Sequence, residues 1–392
     1  MIQCIDMGIG RLYTTMYIVC IFMLFVDSMY PWYMWNNLIV RYITVVATFI
    51  LSVCLILNNP YLFKRIKRHL VCAILLFICL IWIAIHEGGN LLSFLLKYVI
   101  LISLLFLKTE YKIHALRFIT KCFSCLLLFS LITYILFLFG IKCVSPSIYI
   151  YGIDQYVRLN YYTFVTSVGD LDYFRFASVF LEPGHLTMGV VPLIIANRFD
   201  LKNKYVMFLL IVELFTFSLA GYITLFVGYV LFNISFSRLK YLLIGIFVCG
   251  IAIWVLNNNG YSDMLDQFLW DRLEYSDGDI AGNNRTTSSF DAVYESVINS
   301  SNKWFGDSLI DVSIYGGISG YKKFIVQNGI VGVFLVFMVY VYYFISYKKY
   351  DLIVFTLILL MLLVQNSYPL WNCIIMVYIL GVENLRFKNK FQ

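Results

Sequence analysis

Long apolar runs fill most of this chain and alternate with shorter polar segments. A helix needs about 20 apolar residues to cross the hydrocarbon core of a bilayer, and fewer when aromatic residues complete it at the interface. The runs lack the short period-2 alternation that is typical of outer-membrane β-barrels. The pattern therefore predicts an all-α integral membrane protein with about 12 transmembrane helices. The predicted spans lie near 12–27, 38–57, 70–86, 91–107, 118–141, 183–197, 205–218, 220–236, 241–256, 324–346, 352–367 and 369–383.

Two long polar segments interrupt these runs and divide the chain into five predicted regions. An N-terminal five-helix membrane region covers 1–141, and a first large outward loop follows at 142–181. Central membrane helices cover 182–256, and a second large outward loop covers 257–323. The remaining residues, 324–392, form C-terminal membrane helices and a basic tail.

The positions of lysine and arginine predict how the chain crosses the membrane, because cytoplasmic loops retain positive charge. With the N-terminus inside, most of the 29 Lys and Arg residues fall in inward connections or in the C-terminal tail, although the outward loops are much longer. We therefore expect both termini in the cytoplasm and both large loops outside. The net charge of +7 follows from this asymmetry and calls for no nucleic-acid partner.

Composition supports the membrane assignment and narrows the chemistry. Of the 392 residues, 61% are hydrophobic and only 13% are charged, whereas about a quarter are charged in a soluble protein. Most of the ten cysteines lie within apolar runs, which favours buried thiols over a disulfide framework. No cluster of cysteine and histidine has the spacing of a metal site, so the sequence predicts no metal and no cofactor.

Few charged residues interrupt the predicted spans, although transporters usually hold several there. Arg41 and Lys121 lie near span ends, where long side chains reach the interface. Lys97 and Glu213 lie deeper, and because a lone charge is costly there, we expect them to form an ion pair. We interpret the spans as a scaffold and expect any chemistry in the outward loops.

The first outward loop is rich in aromatic residues and also carries Arg158 and Arg175. Aromatic faces stack on sugar rings, but an aromatic belt at the lipid interface has the same composition, and both interpretations stay open. The aromatic positions are Tyr149, Tyr151, Tyr156, Tyr161, Tyr162, Phe164, Tyr173, Phe174 and Phe176.

The end of this loop has the features of an anion-binding helix start. Pro183 suits the first turn of a helix, and the N-terminus of a helix attracts anions. Arg175 would add a full positive charge beside it. Glu182 fits three roles: a helix cap, a partner of Arg175 or a general base. His185, one turn into the span, fits a proton donor or acceptor, or an ordinary interfacial residue.

The second outward loop contains more acidic than basic residues and is long enough to form a small folded cap. Within it, Arg272 and Arg285 are candidates for binding a diphosphate, because guanidinium binds phosphate oxygens in bidentate fashion and stays charged. Surface ion pairs with neighbouring acids are the alternative.

Four short segments occur in a fixed order between about residues 158 and 335. They are Arg175-x-x-Ser178-x-x-x-Glu182-Pro183-Gly184-His185, Thr216-Phe-Ser218-Leu-Ala-Gly221-Tyr222, Asn284-Arg285 followed by Trp304-Phe-Gly306-Asp307, and Gln327-Asn-Gly329-Ile-Val-Gly332. In order, spacing and topology they resemble the motifs of the O-antigen polymerase family (Wzy-type) and of its relative, the O-antigen ligase. Where ligases and many polymerases carry a His-Asn pair, this chain has Gly317-Ile-Ser-Gly320, which favours a polymerase.

The resemblance implies a multi-pass enzyme of the bacterial cytoplasmic (inner) membrane. Such an enzyme joins undecaprenyl-diphosphate-linked oligosaccharide repeat units into O-antigen or capsular polysaccharide at the outer face. A flippase and a chain-length regulator of the same pathway are the expected protein partners. The alternatives are a polysaccharide flippase or secondary transporter, for which the sequence lacks internal repeats, and an O-antigen ligase.

The same interpretation assigns roles to six side chains. Positive charge is needed where the diphosphate leaves, and the attacking sugar hydroxyl needs a base. The expected diphosphate-binding residues are Arg175, Arg272 and Arg285, with Arg158 on the acceptor side; the expected base is Glu182, with His185 as the second candidate.

Overall fold

A computed structural model shows a mostly helical protein. Four helices are long and apolar enough to cross a membrane: Ile39–Leu57, His69–His86, Thr109–Leu138 and Gly320–Ile345. These four candidate spans indicate a multi-pass membrane protein, which agrees with the prediction. The structure describes residues 2–35, 37–57, 62–88, 90–141, 144–151, 156–167, 175–232, 275–276, 279–280, 286–315, 318–345, 350–363, 369–370 and 372–387, with the single residues 251, 254 and 258.

Twelve α-helices lie in this described part of the chain. They are α1 (Ile2–Asp27), α2 (Ile39–Leu57), α3 (Leu62–His86), α4 (Leu91–Phe106), α5 (Thr109–Leu138), α6 (Pro183–Ala196), α7 (Lys204–Thr216), α8 (Leu219–Phe232), α9 (Ser288–Ile298), α10 (Gly320–Ile345), α11 (Tyr350–Leu363) and α12 (Cys373–Phe387). All except α9 overlap a predicted span, and α9 lies within 257–323, the second of the two predicted outward loops. The predicted span 241–256 lies almost wholly outside the described residues.

Local sequence signals explain several helix ends. The side chain of Asn90 accepts a hydrogen bond from Leu92 N (2.9 Å) and caps α4, and Asn203 caps α7 in the same way. Pro183 opens α6 at the position where its missing N–H costs nothing. Gly329 breaks α10 with a left-handed φ of 66°, a conformation that favours glycine.

Helices α6 and α12 form the centre of the bundle. Residues 186–196 and 373–385 are buried without interruption, so both helices are covered on every side. Helix α12 packs against α5, α6 and α11, while α3 packs against α10. The N-terminal end of α6, which follows Glu182 and includes His185, therefore belongs to one of the two central helices of the bundle.

Two small antiparallel sheets make the fold mostly helical rather than all-α, which corrects the prediction. The first of the two predicted outward loops, 142–181, contains β1 (Ser147–Tyr151), β2 (Tyr156–Asn160) and β3 (Val165–Ser167) in that order. The physical reason is the Ile-Tyr-Ile-Tyr run in β1, because β-branched and aromatic residues favour strands. The second sheet, in the other outward loop, pairs β4 (Tyr275–Ser276) with β5 (Asp279–Ile280).

The first outward loop also contacts the connection between α1 and α2. Pro31 forms an isolated β-bridge with Phe180, and Trp32 N donates to Val179 O (3.0 Å). The indole Nε1 of Trp32 donates to Tyr162 O (2.8 Å). Two segments that the sequence assigns to the outer side therefore meet at one end of the bundle.

Candidate functional site

Glu182 and Arg158 lie together at the start of α6. Glu182 has an extended backbone, and its side chain makes no hydrogen bond to the first turn of the helix. Instead its Oε1 lies 3.8 Å from Arg158 Nη2. Of the three roles that the sequence leaves open, the helix cap is therefore wrong, and Arg158 is a charged partner of Glu182.

Arg158 is held in place by the sheet around it. It sits in the middle of β2, opposite Tyr149 on β1 and Ser167 on β3. Its Nε donates to Leu181 O (3.1 Å), and its side chain is only 12% exposed, whereas that of Glu182 is 41% exposed. The arginine is thus a fixed positive charge, and the carboxylate that it contacts remains accessible to a substrate.

Arg175 belongs to the segment that precedes α6, and it lies beside the turn that connects α7 to α8. The next residue, Phe176, donates its N–H to Phe215 O (2.9 Å), and the Arg175 guanidinium is close enough to act electrostatically on the Tyr222 hydroxyl. Further along, Ser178 O accepts from Val165 N (2.7 Å). The segment 175–182 therefore connects the sheet of Arg158 with the α7–α8 turn.

The Ser-x-x-Gly motif builds this turn. Phe217 adopts the left-handed conformation (φ 47°) and ends α7. The Ser218 hydroxyl accepts from Gly221 N (3.3 Å), which satisfies one of the free N–H groups at the start of α8. Ser218 N in turn donates to Thr216 Oγ1 (3.1 Å). Two of the four motifs noted in the sequence, those around Glu182 and Ser218, are thus neighbours through Phe176.

Glu213 is fully buried just before this turn. Its Oε1 accepts from Thr187 Oγ1 (2.9 Å) on α6 and lies 3.3 Å from Thr216 Oγ1. The predicted Lys97–Glu213 ion pair is wrong: the charged groups that act on Lys97 are Arg41 and Glu87. The physical reason is that the hydroxyl groups of Thr187 on α6 and Thr216 on α7 already donate hydrogen bonds to the Glu213 carboxyl.

The remaining predicted site residues differ in position. His185 is partly buried in the first turn of α6, and its backbone N–H donates to Glu182 O (3.1 Å). Arg272 and Arg285 lie outside the described residues. Within the described ranges, no group of three or more His, Cys, Asp and Glu side chains fits a metal ion.

Aromatic side chains that the structure describes in the predicted first outward loop pack on other rings of the protein: Tyr149, Tyr161, Tyr162, Phe164 and Phe176. Tyr149 stacks on Trp35, with ring centroids 4.4 Å apart, and Tyr161 stacks on Phe164 at 4.7 Å. Tyr134 on α5 contacts both Phe164 and Phe176. These rings fasten the loop to the bundle.

The other two motifs meet at the break in α10. Trp304 O accepts from Val331 N (3.0 Å), and Asp307 N donates to Val326 O (2.7 Å). Gly306 and Gly329 both have a left-handed φ, and a β-carbon on either would overlap the backbone of the other segment. The glycines of both motifs are therefore required for this close approach of two backbones.

A carboxylate that the sequence reasoning missed lies beside this break. Glu87, just after α3, accepts a hydrogen bond from Asn328 Nδ2 (3.2 Å). Burial raises the pKa of Glu87, although the Asn328 hydrogen bond and the charges of Lys323 and Lys97 act to lower it. In the sequence it is a single acid in a short connection, and nothing nearby marks its partner 241 positions away.

Comparison with known protein families, with curated proteins and with solved structures finds no match for this chain.

Proposed function

We propose that this protein polymerises undecaprenyl-diphosphate-linked oligosaccharide repeat units into O-antigen or capsular polysaccharide. In this proposal it acts at the outer face of the bacterial cytoplasmic membrane, with about 12 spans, both termini inside and both large loops outside. The observation that carries the proposal is the Arg158–Glu182 pair at the start of α6, where a fixed cation holds an accessible carboxylate.

The proposed reaction divides between a base and several positive charges. The acceptor hydroxyl attacks the anomeric carbon of the donor sugar and gives its proton to Glu182, with His185 as the second candidate. The bond from that carbon to the diphosphate oxygen breaks, and its electron pair leaves on the lipid diphosphate. Arg175 and the positive end of α6 stabilise this charge, as do Arg272 and Arg285.

Arg158 orients the base in this scheme. Its guanidinium is anchored through Nε to Leu181 O, so its Nη2 presents a positive charge to Glu182 from a fixed direction. A lysine at this position would keep the charge but lose the second donor that anchors it. Arg158→Lys is therefore a sharper test of geometry than Arg158→Ala.

The test uses purified protein reconstituted with lipid-linked repeat units, and it follows the formation of a ladder of products. Glu182→Gln should slow the reaction by about 10²- to 10⁴-fold, the usual loss for a general base. Arg158→Lys and Arg175→Ala should also shorten or abolish the ladder. Matched controls are Arg117→Ala and Glu110→Gln, two exposed residues of α5 outside the site, which should leave the ladder unchanged. Normal ladders from all three site variants would overturn the proposal.

A deletion strain separates the polymerase from the alternatives. Loss of a polymerase leaves single repeat units attached to the acceptor lipid, whereas loss of a ligase leaves none attached. Loss of a flippase accumulates lipid-linked units on the inner face. Only the first pattern agrees with the proposal.

A further inference from the structure

An aromatic surface of fixed orientation lies at the outer end of α3. The rings of Trp82 and His86 stack, with centroids 4.2 Å apart and planes 22° apart. The Trp82 Nε1 donates to Asn328 O (3.1 Å), which holds the indole plane against α10. The Phe305 ring follows at 6.0 Å from Trp82 and is 57% exposed.

Phe305 is fastened to the bundle through the backbone on both sides. Before it, Trp304 O accepts from Val331 N, and after it, Gly306 packs against the backbone at Gln327. An aromatic ring in an interfacial belt is surrounded mainly by lipid. The exposed ring of Phe305 is instead positioned by contacts with α3 and α10 and by the close backbone approach at Gly306 and Gly329.

A carboxylate completes the surface. Glu87 directly follows His86, and Asn328 Nδ2 holds its Oε1. Lys97 and Lys323 lie within electrostatic range, so the group is not an isolated negative charge. An aromatic face beside a carboxylate oxygen is the combination that binds a sugar ring, because the ring offers one apolar face and several hydroxyl donors.

We infer that Trp82, His86, Glu87 and Phe305 form a carbohydrate subsite that holds a sugar ring of the acceptor or of the growing chain. The sugar stacks on Phe305 and donates a hydroxyl hydrogen bond to Glu87. The elements involved, α3, α10 and the segment 304–306, differ from those that hold Arg158 and Glu182. This inference rests on the proposed function for the identity of the sugar.

The test measures binding of the free repeat-unit oligosaccharide, released from its lipid diphosphate by mild acid, to the purified full-length protein. Saturation-transfer NMR reports which sugar protons contact the protein, and titration gives the affinity. Phe305→Ala should weaken binding by about three- to tenfold, and Phe305→Tyr should restore it. Glu87→Gln keeps the acceptor for Asn328 and should weaken binding to a lesser extent. The control is Phe139→Ala, an exposed phenylalanine at the end of α5.

The outcomes separate this subsite from the proposed function. Equal affinity of the wild type and Phe305→Ala, no binding by the wild type, or equal weakening by Phe139→Ala would each overturn the subsite. Weakened binding by Phe305→Ala, together with wild-type ladder formation, supports both proposals. The same weakening without any ladder from lipid-linked units supports the subsite and overturns the polymerase.

Discussion

Gly221 on α8 lies directly against the carboxyl group of Glu213 on α7. A β-carbon at position 221 would overlap Glu213 Oε1 and would come within 2.9 Å of Thr187 Cγ2 on α6. Three helices therefore meet at one buried carboxyl, immediately before the turn that contacts Phe176 and lies beside Arg175. Tight packing at this point determines where the candidate site is held.

Replacing Gly221 by alanine should destabilise the protein, because a methyl group inserted into a filled space costs about 1–3 kcal/mol. The measurement is the midpoint of thermal unfolding in detergent. The matched control is Gly228→Ala on the same helix, where the nearest atoms are side-chain ends at 3.2 Å. There the better helix propensity of alanine, about 1 kcal/mol, should offset the contact. Equal thermal unfolding midpoints for the two variants would show that Gly221 of α8 is not in tight contact with the Glu213 carboxyl.

Two substitutions of Glu213 should behave differently. Glu213→Gln keeps a carbonyl oxygen for the hydroxyl of Thr187 and should leave stability nearly unchanged. Glu213→Leu removes that acceptor and leaves a buried hydroxyl unpaired, at a cost of about 1–3 kcal/mol. Thermal unfolding of both variants measures the difference. If the leucine variant were as stable as the glutamine variant, the hydrogen bond to Thr187 would have no role in joining α6 to α7.

Gly329→Ala should detach the segment 304–307 from α10. The left-handed φ costs about 1–2 kcal/mol for a residue with a β-carbon, and here the β-carbon also overlaps the Trp304 backbone. We expect faster limited proteolysis within 286–315. Gly88→Ala is the matched control, since Gly88 has a similar φ of 63° but no atom within 4 Å of an added β-carbon. Equal cleavage of both variants would argue against the close backbone contact.

The raised pKa of Glu87 predicts a pH dependence of stability. Because burial raises this pKa above its ordinary value of 4.5, the folded state holds a proton that the unfolded state loses first. The stabilisation is therefore complete below about pH 4.5 and is lost as the pH rises through the folded-state pKa. Glu87→Gln should lack this loss, so the stability of the variant relative to the wild type should increase as the pH rises from about 4.5 through the folded-state pKa of Glu87.

The measurement for Glu87 is the unfolding midpoint of both proteins across that pH range, at constant ionic strength. Glu110→Gln, at an exposed acid on α5, serves as the control for general effects of removing a carboxylate. Parallel pH curves for the wild type and Glu87→Gln would contradict the prediction.

The sequence alone was sufficient to predict the four helices that are long and apolar enough to cross a membrane, because hydropathy is a local property and a bilayer selects for it directly. Pro183 at the start of α6 and the positions of helices α2, α4 and α8 follow from such local signals. The exact helix ends do not. Helix α3 begins at Leu62, well before the apolar stretch at 70, because its polar first turns can continue the same backbone hydrogen bonds in water.

The tertiary structure decided which side chains meet. Arg158 pairs with Glu182 because a strand inside a polar loop carries it back to the start of α6, and Glu213 turns to Thr187 rather than to Lys97. The Glu87–Asn328 contact joins residues 241 positions apart. The sequence gives the type and charge of each residue directly. The partner of a charged side chain depends on how distant elements pack, and it can be identified only in the folded structure.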